Sequence, residues 1–436
     1  MMPRLYLRST TVVGGFLVAL FCGFSTGLLA QIANFGSPYA RFGMGEFQPN
    51  VGSAFGGCGG MQAALAHPLW INTENPASLG QGALTRMELG TQARFSFLKT
   101  KDQGLLKSNI NLNHLALAIP VGKTMGTALS FTPLALTNYD VTGEGRVDPG
   151  GGQTPYRVDE YYTGRGGFNR LAWAWGWQIN PRWRVGYAAN ALFGKSIREF
   201  RRVFPDSIQA FNVRVQDQWS VLDLYHQLGL QFQPGQPKQV WRGTWGLSLR
   251  LPVEAAMNQT RLAERFTLIA GNPRVRDTVY SSSAVPGSMS VPLKVSLGYW
   301  VEKEGKAGTG LEFNYEPLSR WRIMGAADSL QDQWTLRWGG YRLVNPGGAT
   351  SGRALILRAG WRYSPGSLRL RDQSIPEAGL HLGLGIPLRR SASVLNFGLE
   401  AGRWGTLKNG LLREDFVRFN LSLNLNDRWF IRRVYD

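Results

Sequence analysis

Apolar and polar residues alternate one for one in this chain, in stretch after stretch of about ten residues. From Leu84 to Leu98, Met87, Leu89, Thr91, Ala93, Phe95 and Phe97 fall on one side, and Glu88, Gly90, Gln92, Arg94 and Ser96 on the other. Successive side chains of a β-strand point to opposite faces, so this spacing predicts a strand with one face in an apolar medium. The pattern recurs with Leu171, Trp173, Trp175 and Trp177 against Arg170, Ala172, Ala174 and Gly176. It returns with Trp241, Trp245, Leu247 and Leu249 against Arg242, Thr244, Gly246, Ser248 and Arg250, and again through Leu355–Tyr363 and Val417–Leu425. A soluble protein seldom turns rows of tryptophan to water. The lipid face of an all-β transmembrane barrel, with aromatic girdles at both interfaces, calls for them.

Fourteen such segments can be counted: Leu84–Leu98, Asn109–Ile119, Lys123–Pro133, Gly167–Ile179, Arg182–Phe200, Phe211–Phe232, Val240–Leu251, Val291–Val301, Ala307–Glu316, Gln333–Leu343, Arg353–Tyr363, Ala378–Leu388, Val394–Trp404 and Glu414–Leu425. An even number suits a single-chain bacterial barrel. Arg261 to Ala270 is assigned to a loop. Connections alternate between short, turn-rich pieces, such as Val121-Gly122 and Asn180-Pro181, and long ones, such as Leu134–Gly166 and Pro252–Ser290. Bacterial barrels keep their short turns in the periplasm, so the alternation puts both termini there.

Residues 1–30 read as a cleavable export signal: Arg4 and Arg8, an apolar stretch from Thr11 to Phe24, then Leu28-Leu29-Ala30 before Gln31. The apolar run is shorter than the roughly 20 residues of a spanning helix, and no later stretch approaches that length. Removing the signal takes Cys22 with it and leaves Cys58 as the one thiol, so no intramolecular disulfide is expected. The chain carries a formal charge of +19, and 46 basic against 29 acidic residues remain without Arg4 and Arg8. Arginines dispersed through alternating strands point to a charged lumen or to contact with lipopolysaccharide rather than to nucleic acid.

Residues 31–83 stand outside the alternation and are dense in glycine and small residues, which suggests a compact segment folded into the barrel mouth, with 84–436 as the barrel. Gly56-Gly57-Cys58-Gly59-Gly60-Met61-Gln62-Ala63-Ala64, followed by Ile71-Asn72-Thr73-Glu74-Asn75-Pro76-Ala77-Ser78-Leu79, resembles the FadL/TodX family of outer-membrane transporters of hydrophobic compounds. Ser37–Gly45 and Asn426–Phe430 look like the lineage of that family found in bacteria with type 9 secretion. The resemblance implies a 14-stranded barrel with an N-terminal hatch in its lumen and passive passage of fatty acids or hydrocarbons, gated around Asn75, Pro76 and Ala77. Ala66-His67-Pro68-Leu69-Trp70 departs from the family pattern where an Asp-Ala-Ser element is usual. Some relatives of this shape, the PorV proteins, are partners of the secretion machinery, so a docking role is the alternative and a general porin the third.

The sequence offers little chemistry for catalysis. His67, His114, His226 and His381 lie far apart without metal-ligand spacing, and Asn111–His114 has no serine in a recognisable arrangement. Neither an enzyme nor a cofactor is expected. Glu312 and Glu316, which alternate with Asn314 on one strand face, read as luminal acids balancing arginine. For a bound fatty acid, Arg94, Arg170 and Arg242 are candidates to hold the carboxylate, and Phe55, Met61 and Leu65 to cover the tail. Mutual neutralisation with acids inside a filled barrel is the alternative role for these arginines. Expected partners are membrane lipids and lipopolysaccharide, the hydrophobic ligand, the barrel assembly machinery and secretion-system proteins.

Overall fold

The computed structural model describes residues 36–48, 52–148, 155–206, 211–235, 240–269, 271–303, 305–344, 354–389 and 391–429; the expected export signal at 1–30 lies outside them. Fourteen strands form the barrel: β1 Thr85–Lys99, β2 Gly104–Val121, β3 Met125–Leu136, β4 Tyr156–Gln178, β5 Trp183–Val203, β6 Asn212–Phe232 and β7 Trp241–Arg250, then β8 Lys294–Lys303, β9 Ala307–Glu316, β10 Gln333–Val344, β11 Leu355–Ser364, β12 Glu377–Pro387, β13 Val394–Gly405 and β14 Arg413–Asp427. Each pairs antiparallel with the next, and β1 closes on β14 from Thr85↔Asp427 to Lys99↔Arg413. Closure removes the sheet's edges, as a β-structure immersed in lipid requires. All fourteen expected segments are strands of this barrel.

The two faces divide as the alternation predicts. Leu89, Phe95 and Phe97 of β1 are exposed while Glu88, Gln92, Arg94 and Ser96 are buried. Aromatic pairs band the outside near both ends, with Trp183 on Phe232 at 4.3 Å between ring centroids, Trp245 on Tyr299 at 4.4 Å and Trp334 near Tyr363 at 5.6 Å. Two such belts around an apolar wall match the interfaces of a membrane.

Outside the membrane the sheet continues. β4, β5 and β6 run for 23, 21 and 21 residues, about twice what a span needs. Tyr139–Val147 pairs with the upper part of β4. The expected loop at Arg261–Ala270 is instead largely strand: Val253–Ile269 pairs with β6 from Met257↔Val221 to Phe266↔Asn212, and folds back as Asn272–Val291. Leu262, Phe266 and Leu268 on one parity face Ala263 and Ile269 on the other, so no single lipid face singles this stretch out. It is a strand of a sheet in water, beyond the barrel proper.

The segment before β1 spans more of the lumen than a plug at one mouth would. Residues 36–48 lie among the long connections: Gly36 N donates to Asn138 O at 2.8 Å, Gly43 N to Asp328 at 2.6 Å, and the Tyr39 hydroxyl to Leu412 O. Thus the described chain begins near the outer mouth, and only the entry to β1 lies at the periplasmic end. Glu46–Phe47 also enters the wall. The β2–β3 ladder stops at Leu115↔Phe131, and above it Glu46↔Leu136 and Phe47↔Ala135 pair with the edge that β2 leaves.

Candidate functional site

From residue 52 the segment descends and circles the inner wall against a belt of glycines. A short helix, α1 (Ser53–Gly57), starts the turn, and a 3-10 helix at Pro76–Gln81 ends it. A methyl group on Gly126, Gly176, Gly186, Gly229, Gly246, Gly339 or Gly360 would lie 2.0 to 2.4 Å from a backbone or Asn75 atom of the segment. Real side-chain carbons do not approach that closely, so glycine is what lets the two backbones meet. Four belt members are cross-strand neighbours in sequence, Gly126↔Gly176↔Gly186↔Gly229, and Gly246 faces Gly298. β9 has no belt glycine. It contributes Glu312, whose Oε2 accepts from Gln62 N and Ala63 N, both at 2.6 Å, while Arg337 and Asn314 hold Oε1 at 3.1 Å.

The motif residues tie this path together. Asn72 donates to Gln62 O at 2.6 Å and Leu65 O at 3.0 Å, and its Oδ1 accepts from Glu74 N and Asn75 N. Asn75 caps the 3-10 helix through Ala77 N at 3.1 Å, as an Asn at this position does. Its Nδ2 donates to Ala63 O at 2.5 Å and reaches Leu230 O on β6 and Leu247 O on β7 at 3.4 and 3.3 Å. Pro76 opens the helix where no N–H is needed, and Asn75, Pro76 and Ala77 are all buried. The Glu74 carboxylate receives Arg170 at 2.8 Å and Lys294 at 3.3 Å; its carbonyl accepts from Ser248 Oγ at 2.6 Å and from Gln227 Nε2. Burial works to raise the pKa of Glu74, but Lys294 and Arg170 outweigh it and hold the value at about 2.

The candidate ligand residues separate in space. Phe55, Met61 and Leu65 are buried in one apolar cluster with Cys58, Trp70, Trp300 and Tyr341, where Phe55 meets Trp70 edge-on at 5.4 Å. Burial pushes the Cys58 thiol up to about 12, against the opposing pull of Arg358. His67 stacks on Trp70 at 4.2 Å and is held down to about 3 by burial and by Arg358 and Arg86. Arg94 bridges Glu46 and Glu414. It belongs to a buried network in which Arg418 meets Glu400 at 3.1 Å and Arg362 meets Glu400 and Glu377 at 2.9 and 2.5 Å. Arg242 lies near the periplasmic end of β7, opposite Glu302 in register.

A cavity of about 200 Å³ sits between residues 39–48 and the descending segment. Of the six candidate ligand residues only Arg170 lines it, beside Glu74, Lys294, Arg250, Glu316 and Gln227. Met44, Phe168, Leu192, Met257, Met289, Leu318 and Trp321 form an apolar core among the outer parts of β4–β6 and the connections beyond them. The arrangement packs the segment against the inner faces of the strands and leaves a cavity bordered by charged groups. Glu74 and the belt glycines were missed in the sequence as a set, although Gly176, Gly246 and Gly360 already fall on the polar parity of their strands; Glu312, read there as a luminal acid facing arginine, meets Arg337 and holds the segment as well.

A family model, BamG, matches residues 13–436 of the sequence. The chain belongs to the BamG family. Among curated proteins no sequence matches significantly. The fold of this BamG-family chain is that of FadL-type outer-membrane barrels. The toluene transporter TbuX of Ralstonia pickettii has 13% identity and a TM-score of 0.54, over 86% of this chain and 98% of that one. A Pseudomonas aeruginosa FadL homologue has 12% identity and the same TM-score and coverage. The toluene transporter TodX of Pseudomonas putida has 12% identity and a TM-score of 0.53, over 88% and 99%. The BamG-family chain is thus an outer-membrane β-barrel, and its neighbours in fold are transport proteins, not enzymes.

Proposed function

We propose that this barrel serves as a plugged docking subunit of an outer-membrane assembly or secretion machine. Occupancy of the lumen carries the reading: the segment is fitted to belt glycines on strand after strand and anchored by Glu312, Gln227 and Ser248, and the outer end holds an apolar core. Ligand sites for small molecules are mostly apolar, with few polar groups. The cavity here is bordered by Glu74, Arg170, Lys294, Arg250 and Glu316, a poor solvent for a hydrocarbon. The family name carries the prefix of the barrel assembly machinery and supports that machinery as the partner. Within this reading residues 1–30 are a leader removed on export, 31–83 the luminal plug and 84–436 the barrel.

Tagged full-length protein, extracted from native outer membranes in mild detergent, is expected to carry the central barrel-assembly subunit with it in fixed ratio. Purification alone, together with uptake of labelled toluene or palmitate into liposomes holding the protein, would overturn the docking role. It would establish the second reading instead. That reading is hatch-gated passage of a hydrophobic compound, favoured by the fold shared with TbuX and TodX; Asn75, Pro76 and Ala77 would then be the moving part.

A further inference from the structure

Among the described residues, the outer sheet ends in an edge that is left largely unpaired. Asn272–Val291 pairs on one side with Val253–Ile269; on the other, among the described residues, its backbone meets only Arg322, Ile323 and Met324, at Ser288–Ser290. Pro273 and Pro286 stand at the two ends of the open part, and the twelve residues Arg274–Val285 between them contain no proline. An exposed strand edge presents unpaired N–H and C=O groups that template another strand, and natural edges are usually short, bulged or covered. This one is long, with its own ladder bulged between Val285 and Ser282, Tyr280 and Thr278, and Asp277 and Val275, and it carries apolar side chains in water: Val275, Val279 and Tyr280 are 49%, 55% and 53% exposed.

The charge at this edge is unbalanced. Elsewhere on the outer sheet Arg157, Arg201, Arg202, Arg214 and Arg261 each meet a carboxylate. Arg265, Arg274 and Arg276 meet none within ion-pair distance among the described residues; Arg276 donates only to Thr267 Oγ1, at 2.9 Å. Arg274 and Arg276 on the edge strand, with Arg265 on its neighbour, outnumber Asp277, the one acid between Arg274 and Val285, and this net positive charge beside exposed apolar residues is complementary to an extended acidic segment.

We propose that Arg274–Val285 is a strand-addition site for an extended, acidic segment of a partner protein on the cell surface. Backbone pairing would supply affinity and the arginines selectivity, as in other edge-strand recognition. The site does not depend on whether the barrel docks to an assembly machine or transports, and its test uses no such machine, so failure of either leaves the other standing.

The probe is a fluorescent ten-residue peptide alternating valine and glutamate, with a valine–lysine peptide as comparator, added to the full chain in lipid nanodiscs. The acidic peptide is expected to bind and to slow amide exchange across Arg274–Val285 by about tenfold or more. The triple variant R265Q/R274Q/R276Q, altered only at the unpaired arginines, should weaken binding by about tenfold while the barrel keeps its heat-modifiable migration. Equal binding of the basic peptide, unchanged binding by the triple variant, or absence of protection at these amides would each overturn the proposal. So would lipopolysaccharide displacing the peptide and reproducing its protection, which would assign the arginines to lipid. Concentration-dependent self-association abolished by the same variant would assign the edge to a second copy of this chain.

Discussion

Gly246→Ala should loosen the luminal segment without disturbing the barrel. The added methyl would lie 2.0 Å from Ala63 O, whereas carbon and carbonyl oxygen ordinarily stay about 3.3 Å apart, so the segment must back away from β7 by roughly 1.3 Å. Ala63 O accepts from Gln231 at 3.2 Å, and Ala63 N donates to Glu312 at 2.6 Å. A retreat of that size stretches both past hydrogen-bond range. One neutral and one charge-assisted bond are worth together about 3 kcal/mol, or about a hundredfold in the population of the undocked segment at ~1.4 kcal/mol per factor of ten. Cys58 reports that population, because docking buries its thiol fully and raises its pKa to about 12. Maleimide labelling, read at Cys58 by mass spectrometry, should accelerate by about that factor when opening is fast relative to labelling. Gly143→Ala is the control, since a methyl there meets nothing within 4 Å. If Gly246→Ala folds to a normal barrel and Cys58 labels at the parental rate, close approach to the glycine belt is not what holds the segment.

Acid should undo the docking in a defined window. Glu74 has a folded value of about 2 against an ordinary 4.5, so its contribution is complete above about pH 4.5 and fades as the pH falls toward 2. His67, kept neutral down to about 3 against an ordinary 6.5, adds a loss that begins near pH 6.5. Cys58 exposure after an acid step, with quenching near neutrality, should rise through both windows, and Glu74→Gln should flatten the lower one. Asn75→Ala removes a helix cap and the contacts to β6 and β7, at a cost of about 2 kcal/mol; amide exchange over 76–81 should speed up accordingly, and unchanged exchange would count against the clamp. Arg94→Gln strands Glu414 as a buried acid, leaves Glu46 only Arg418 at 3.9 Å, and should lower the unfolding temperature in detergent, by an equivalent of about 3–5 kcal/mol. Arg94→Gln with Glu46→Gln should recover part of the loss.

The barrel was legible because a lipid face imposes its period on every spanning strand. Met87 to Phe97 and Leu171 to Trp177 need no long-range information to be placed. The outer sheet was less legible: Val253–Ile269 pairs with β6 in water, so no apolar face marks it and it reads as loop. The site was harder still. Arg94 and Arg170 stand out as luminal arginines, but Glu46, Glu74 and Glu414 that bind them lie 48, 96 and 320 residues away, and only closure brings them together. Likewise Gly176 and Gly246 sit visibly on inward faces, yet that they face one chain segment depends on cross-strand register.

The order in which the segment meets the wall sets how the molecule can be put together. Gly57 lies on Gly383 of β12, Cys58 on Gly339 of β10, Ala63 on Gly246 of β7, Ala77 on Gly186 of β5 and Leu79 on Gly126 of β3. From Gly57 to Leu79, then, early segment residues touch late strands and late ones touch early strands. The segment therefore works as a mandrel wound backward: of these five contacts, Leu79 with β3 has the shortest sequence separation and the smallest loop to close, and each strand laid down afterwards finds the next residue back along the segment. In pulse labelling during refolding, amides near Leu79 should gain protection before Cys58 does, and the reverse order would mean that the segment threads a finished cylinder.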